Sequence, residues 1–440
     1  MMLLGPILTL PMLKFVFKPC AFKSLAFKSL AFKSLAFKSL AFKSLAFAFK
    51  PFILRFLAVF VGLLLLWPQS LLAASLASGT TVQWSPSAAP SAEAQETGFA
   101  RAFGPQDWQF PQDFGPHPQY QTEWWYYTGN LSTPENRPFG FQLTFFRQAL
   151  TPVTALPAEA SPWRTPQLYS AHFTVSDIQA DRFYQFERFS RGAVGLAGAQ
   201  ADPYGVWLQD WSATTEGDRV RLRGKAEGVA IDLRLTPTQP ILQGNQGLSQ
   251  KGPEPGNASY YYSQVQQATQ GTVALDQQRF TVQGVTWMDH EYSTSSLSPG
   301  TVGWDWFSLQ DREGSALMLY SLRRGDGSSE PQSAGMFVAA TGQQQALHRE
   351  EWRLEVLETW TSPSTGAQYP SHWRLQVPKL DLEMDIVPQM ANQELETALT
   401  AYWEGAVRYQ GTQGDRALQG QGYVELTGYA TAMTRLLASP

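Results

Sequence analysis

The sequence predicts an antiparallel all-β protein, and three observations carry that reading. Beyond residue 105, apolar and polar side chains alternate with a period of two, helix-period patterns are scarce, and the alternating runs are short and separated by clusters of Gly, Pro, Asn and Asp. Arg219-Val220-Arg221-Leu222-Arg223 and Ile231-Asp232-Leu233-Arg234-Leu235 alternate strictly. Trp352-Arg353-Leu354-Glu355-Val356 and the run Leu380 to Ile386 do the same. Successive side chains of a strand point to opposite sides, so each run has one apolar and one polar face, as a half-buried strand requires. Some 330 residues of such strands exceed one small barrel, and two β-barrels or sandwiches of about 150 residues each are the natural division. The expected units are residues 105–285 and 286–440, with the junction in the window from Gly271 to Pro299. Arg324-Gly325-Asp326-Gly327 and Gly411-Thr412-Gln413-Gly414-Asp415 read as hairpin tips, and Asn392 to Leu399 as a short helix.

The N-terminal residues 1–77 have a different character. Ala-Phe-Lys-Ser-Leu repeats five times over residues 21–45. Such a period turns by about 140° per repeat at helical spacing and builds no single face. The repeat reads as an extended basic n-region, with a membrane-surface segment as the competing reading. Residues 53–75 form an apolar run after Lys50 and Arg55, and small residues follow through Ala77. This is the layout of a secretory signal. The alternative is an uncleaved anchor; Gly62, Pro68 and the short apolar core favour cleavage. Export to the periplasm or cell envelope is therefore expected, and membrane association would run through this segment. Residues 78–104, rich in Ser, Ala, Pro and Gln, read as a flexible linker.

Composition narrows the function classes. The net charge of −4 and the absence of a basic stripe argue against nucleic-acid binding. Cys20 is the sole cysteine, so an intramolecular disulfide and cysteine chemistry in the body are excluded. Aromatics make up 13% of the chain, with 15 Trp, enough for a large apolar interior or a lipophilic pocket. Neither Gly-x-Ser-x-Gly nor a phosphate loop occurs. His117, His172, His290, His348 and His372 are scattered, with no metal-binding pair at short spacing, so no metal is expected.

Candidate site residues lie in aromatic runs that carry acids. In Trp287-Met288-Asp289-His290-Glu291, strand geometry puts Trp287, Asp289 and Glu291 on one side and His290 on the other. Burial among aromatics raises a carboxyl pKa, and a neutral acid near pH 7 suits proton transfer. In Glu123-Trp124-Trp125-Tyr126-Tyr127, Glu123, Trp125 and Tyr127 share a face opposite Trp124 and Tyr126, so both faces should be buried. In Gly303-Trp304-Asp305-Trp306-Phe307, Trp304 and Trp306 share a face and Asp305 points the other way. His172 and the run Tyr260-Tyr261-Tyr262 add a histidine and three phenols, of which His172, Tyr260 and Tyr262 join the expected lining. The acids of Tyr402-Trp403-Glu404-Gly405 and of Tyr423-Val424-Glu425-Leu426 read as barrel-end structure.

These motifs, with Gln142-Leu143-Thr144-Phe145-Phe146-Arg147, Gln243 to Lys251 and Gly422 to Tyr429, resemble the AttH / carotenoid 1,2-hydratase-like family, in order from about residue 110 to 430. The resemblance implies two consecutive lipocalin-like antiparallel β-barrels. It also implies a cofactor-free addition of water to an isoprenoid double bond, with the acid in an aromatic-x-Asp element, here Trp287-x-Asp289. Asp289 would be the proton donor, His290 and Glu291 would tune or relay the proton, and Trp125, Trp287, Trp304 and Trp306 would line the pocket. The expected partner is a hydrophobic small molecule such as an isoprenoid, carotenoid or lipid, and no cofactor is expected. Two other readings stand beside this one: a non-catalytic carrier of lipophilic ligands in the cell envelope, and a purely structural envelope protein.

Overall fold

A computed structural model describes residues 98–433, apart from 153–154, 156–160, 162–163 and 296. The expectations for the repeat, the apolar run 53–75 and the linker up to residue 97 fall outside the described residues. Residues 98–104 were expected in the linker, yet Ala102 is buried and packs with Tyr120, Ala258, Tyr260 and Tyr292.

The fold is all-β: two consecutive lipocalin-like antiparallel sheets, the first a nearly closed barrel and the second a half-barrel. The first sheet comprises β1 (Thr122–Ser132), β2 (Pro138–Ala149), β3 (Gln167–Asp177), β4 (Arg182–Arg191), β5 (Ala197–Gln200), β6 (Gly205–Leu208), β7 (Trp211–Glu216), β8 (Arg219–Ala226), β9 (Val229–Leu235), β10 (Ile241–Leu242), β11 (Leu248–Gln250), β12 (Ala258–Leu275) and β13 (Gln278–Ser293). Its order is β4-β3-β2-β1-β13-β12-β9-β8-β7-β6-β5, with β10 and β11 paired on β12. The second comprises β14 (Thr301–Asp311), β15 (Ala316–Arg324), β16 (Ala334–Val338), β17 (Gln344–His348), β18 (Arg353–Thr361), β19 (Gln368–Val377), β20 (Leu382–Pro388), β21 (Glu394–Glu396), β22 (Ala401–Gln413) and β23 (Arg416–Leu426). Its order is β17-β16-β15-β14-β23-β22-β20-β19-β18, with β21 paired on β22. Both sheets follow one plan: the first strand pairs with both the second and the last.

The four strictly alternating runs give β8, β9, β18 and β20; Trp352 lies just before β18, and Leu380 and Asp381 form the turn that leads into β20. Both expected hairpin tips are turns, with Gly327 and Gly414 at positive φ, where a residue without Cβ meets no steric cost. Two expectations are corrected. Asn392 to Leu399 is not helical but contains β21, because Glu394 is held extended by pairing with Trp403 and by hydrogen bonds from Thr365 and Tyr369. The changeover between sheets lies between Ser293 and Thr301 rather than at 285/286, because all of β13 is needed to pair with β1 and β12.

Among the described residues, three larger apolar cores stand beside the small cluster around Ala102. One fills the first barrel around Trp125, Phe141, Phe173 and Trp211. A second lies within the other sheet around Phe307, Trp373 and Trp403. The third lies between the two sheets and contains Tyr126, Tyr261, Trp287, Trp306, Tyr320 and Tyr423. The sheets approach closely there: a Cβ on Gly140 would sit 2.8 Å from the Ala406 Cβ and 3.1 Å from the Tyr423 hydroxyl. Gly140→Val is therefore expected to force the sheets apart and to lower stability by about 1–3 kcal/mol, the usual cost of overpacking. Chemical denaturation of the two proteins measures it.

Candidate active site

β13 delivers Trp287, Asp289 and Glu291 to the contact between the sheets and sends Met288 and His290 into the first barrel, as alternation requires. Asp289 is 4% exposed. Its Oδ1 accepts hydrogen bonds from Ser263 Oγ (2.5 Å) and Trp287 Nε1 (2.7 Å), and its Oδ2 accepts one from the Tyr261 hydroxyl (2.7 Å). Burial pushes the Asp289 carboxyl up to about 7, against the pull of these three donors and with help from the charge of Glu291. Tyr261 is held in turn by Trp306 Nε1 at 3.2 Å, a donor from the second sheet.

The second sheet contributes two more acids. Glu404 on β22 and Glu425 on β23 are directly opposed across the strand pair. Glu404 accepts from the Tyr126 hydroxyl (2.6 Å) and from Gln142 Nε2 (3.3 Å), both on the first sheet. Burial and the neighbouring Glu425 charge raise its pKa well above the carboxylate range, outweighing the Tyr126 bond. Glu425 accepts from Trp304 Nε1 (2.7 Å); burial raises it to about 7, opposed by that bond and assisted by the charge of Glu291. Glu291 pairs with the Lys251 ammonium at 2.9 Å and accepts from Ser259. Lys251 lies 4.3 Å from the Tyr320 ring centroid, a cation–π contact. Its pKa is raised: burial alone would lower it, but the charge of Glu291 prevails. The contact thus gathers Asp289, Glu291, Glu404 and Glu425, with Lys251 paired to one of them.

The structure divides the residues expected in the site. Trp287, Asp289, Glu291, Trp304 and Trp306 come together between the sheets. His172 stands at the rim of this contact, with Nδ1 2.7 Å from the Tyr402 hydroxyl and Nε2 3.3 Å from Glu187. Trp125, Tyr127, Tyr262 and His290 are inside the first barrel, and Tyr260 packs at its end, donating to the Gly104 carbonyl. Asp305 is also apart: it accepts from Tyr429 and Arg323 on the opposite face of β14. Burial raises its pKa against the opposing charge of Arg323.

Tyr126, Lys251, Tyr261, Glu404 and Glu425 went unselected in the sequence. Alternation marks Tyr261 rather than its two neighbours, because it shares a face of β12 with Ser263, the residue directly opposite Asp289. Glu404 and Glu425 are not barrel-end structure. Glu404 lies on the fully buried first half of β22, and the partly buried Glu425 is opposite it on β23, both at the contact between the sheets.

His290 belongs to a separate network around Glu123. The Glu123 carboxylate accepts from Arg147 Nε (2.8 Å), His290 Nε2 (2.8 Å), His117 Nδ1 (2.9 Å) and the His117 backbone N–H. Burial alone would raise its pKa, but bonds from His117 and His290, with the charges of His290 and Arg147, hold it well below the usual range. His117 is raised despite burial, by hydrogen bonds to Asp113 and Glu123, whereas burial lowers His290. The histidines are thus scattered in sequence but not in space. Ligand atoms of His117, Glu123 and His290 lie within 4.8 Å of one another, an arrangement that can hold a metal ion. Each ring nitrogen already has a partner: Asp113 and Glu123 for His117, Tyr262 and Glu123 for His290. With the Arg147 guanidinium on the same carboxylate, the donor set fits a closed hydrogen-bond network better than a cation.

Residues 101–429 match the family described as AttH-like. The chain belongs to that family. Its fold is similar to the crystal structure of an AttH protein from Nitrosomonas europaea, with 35% identity and a TM-score of 0.67 over 75% of this chain and all of the other. Kievitone hydratase from Fusarium solani subsp. phaseoli is 24% identical over 207 residues, which are 46% of this chain. That match spans only 57% of the relative's length. The crystal structure of kievitone hydratase from Nectria haematococca shares the fold, with 14% identity and a TM-score of 0.56 over 76% of this chain and 99% of the other.

Two outcomes follow from these networks. A carboxyl raised from 3.8 to about 7 stabilises the folded chain fully at pH below 3.8 and loses that contribution as pH rises through about 7. Asp289→Asn should flatten the fall in stability across this window, by up to about 1.4 kcal/mol per pH unit, as read from Tm against pH. Glu404, Glu425 and Asp305, which burial also raises, contribute to the slope that remains. Arg147→Met leaves the Glu123 charge without its guanidinium and is expected to cost about 3–5 kcal/mol in urea unfolding.

Proposed function

We propose that this chain is a cofactor-free, hydratase-type lyase acting at a carbon–carbon double bond of a hydrophobic isoprenoid-bearing molecule, with Asp289 as proton donor. The observation that carries the reading is the state of Asp289. Its carboxyl is buried, titrates near neutral pH, and is held by Tyr261, Ser263 and Trp287. Such a group is partly protonated at pH 7 and so has a proton to give. Protonation of an alkene carbon leaves a carbocation, and the indole rings of Trp287 and Trp306, 6.1 Å apart by centroid, offer π faces that attract a cation. Exclusion of bulk water keeps the acid neutral until a substrate arrives.

Family membership and the partial similarity to kievitone hydratase support hydration over other alkene chemistry. The apolar segment 53–75 supports action outside the cytoplasm, on a molecule of the cell envelope.

The experiment incubates the purified chain with kievitone, and separately with lycopene, in heavy-oxygen water and follows the products by mass spectrometry. The wild type is expected to add one labelled oxygen, and Asp289→Asn to lose turnover by about a hundredfold or more while still binding the probe. A bound probe recovered unaltered from the wild type would make the chain a carrier instead.

A further inference from the structure

Beside Glu404, the contact between the sheets contains buried polar atoms that the hydrogen-bond network leaves over. Strand register aligns Thr128, Gln142 and Thr174 in one row across β1, β2 and β3, and Tyr126, Thr144 and His172 in the next. The facing wall carries Tyr402 and Glu404, both bonded by Gln142 Nε2, and Tyr423. Gln142 and Thr144 are fully buried, yet Gln142 Oε1 and Thr144 Oγ1 have no hydrogen-bond partner among the described residues. The hydroxyls of Thr128, Thr174 and Tyr423 have no partner of good geometry among the described residues, although Thr128 stands near Tyr126 and Tyr423 near Thr174 and Ser176. Buried polar atoms are nearly always satisfied, and a polar cavity lined by several such groups is where an internal water sits. Apolar packing alone would favour Val or Leu at these positions.

We propose that this row is the oxygen-side subsite of the reaction, seating the water that adds to the substrate, and that Glu404 exchanges a proton with that water while Asp289 exchanges one with carbon. The proposal rests on the reading of Asp289 given above. In the hydration direction, neutral Asp289 gives its proton to an alkene carbon; the π bond breaks and a C–H bond forms. The water oxygen then bonds to the cationic carbon, and its surplus proton passes to the Glu404 carboxylate. The substrate has gained H and OH, and one proton has moved from Asp289 to Glu404; its return resets the pair. Elimination of water runs through the same steps backwards.

The geometry suits the division of labour. Tyr126 joins the two acids, as the direct cross-strand neighbour of Asp289 and the hydrogen-bond donor to Glu404. Its ring packs edge-on to Trp306, with centroids 5.1 Å apart, so one aromatic pair borders both the carbon side and the oxygen side. Both Glu404 oxygens accept hydrogen bonds, from Tyr126 and Gln142, and burial raises its proton affinity: its carboxylate form takes the proton that an attacking water releases, and its neutral form gives that proton to the leaving oxygen in elimination.

The test uses the full chain with kievitone in deuterated, heavy-oxygen water and reads two labels. Deuterium in recovered probe reports reversible protonation of carbon; heavy oxygen in product reports capture by water. Glu404→Gln is expected to lower oxygen incorporation by about a hundredfold while deuterium exchange continues, so that the ratio of the two labels rises. Thr144→Val and Thr174→Val, which leave every carboxyl in place, should move the ratio in the same direction. Parallel loss of both labels in Glu404→Gln and an unchanged ratio in the threonine variants would overturn the assignment.

A wild type that incorporates neither label sinks the Asp289 reading instead. The row is then decided by a crystal structure of the chain. An ordered oxygen bonded to Gln142 Oε1 and the Glu404 carboxyl supports the subsite, and a dry row overturns it.

Discussion

The pairing of the first strand of each sheet with the last is the constraint on which the rest depends. It places β1 and β13 side by side in the middle of the first sheet, and β14 and β23 in the middle of the second. A central strand of a barrel that also packs against another sheet has no solvent face. Every residue of Glu123 to Tyr127 and of Trp287 to Tyr292 therefore faces either the barrel interior or the sheet–sheet contact, and nearly all are buried. Acids on these strands lose their hydration whichever way they point. What then distinguishes them is the company each face supplies.

The two faces supply opposite company. Inside the first barrel, Glu123 meets Arg147, His117 and His290, and its charge is fully compensated. Between the sheets, Asp289, Glu404 and Glu425 meet phenol, indole, amide and hydroxyl donors but no cation of their own. Neutral donors soften the desolvation of a carboxylate without cancelling it, so the pKa rises. A compensated buried charge is inert as a proton donor, because removing or adding its proton disrupts the whole network. An uncompensated one holds its proton to higher pH, up to about 7 for Asp289 and Glu425, which is the property proton transfer needs.

Much of this was legible in the sequence, and the parts that were not share a cause. Period-two alternation carries strand positions and the face each residue occupies. That is why the separation of Asp289 from His290 and of Trp304 from Asp305 could be read before any coordinates. Alternation does not say which strands are neighbours. Glu404 and Glu425 are opposed through β22 and β23, and both meet β1 through a contact more than 270 residues away in sequence, as the Tyr126–Glu404 bond shows with a separation of 278. Lys251 reaches Glu291 from a loop closing onto β12, and local pattern gives no sign of that. His117 and His290 likewise converge on one carboxylate from opposite ends of the first barrel's sequence. The β21 segment misled for the complementary reason: its local composition permits a helix, and only pairing with β22 keeps it extended.

Asp289 and Glu291 show how one cation decides which of two neighbouring acids is ion-paired. They share a strand, a face and nearly the same burial. Lys251 reaches Glu291 at 2.9 Å and rests on the Tyr320 ring; it does not bond Asp289. An ammonium bonded to Asp289 would favour the carboxylate and lower its pKa, leaving no proton to deliver. Held on Glu291, the same ammonium neutralises the nearest negative charge, so Asp289 is raised chiefly by desolvation rather than by an acidic neighbour. Desolvation is the cause that a bound substrate preserves, since an apolar molecule in the contact keeps water out as the protein does. Because Lys251 is bonded to Glu291 and not to Asp289, burial is left as the cause that favours a proton on Asp289, and on the proposed reading it does so both before a substrate enters and while it is bound.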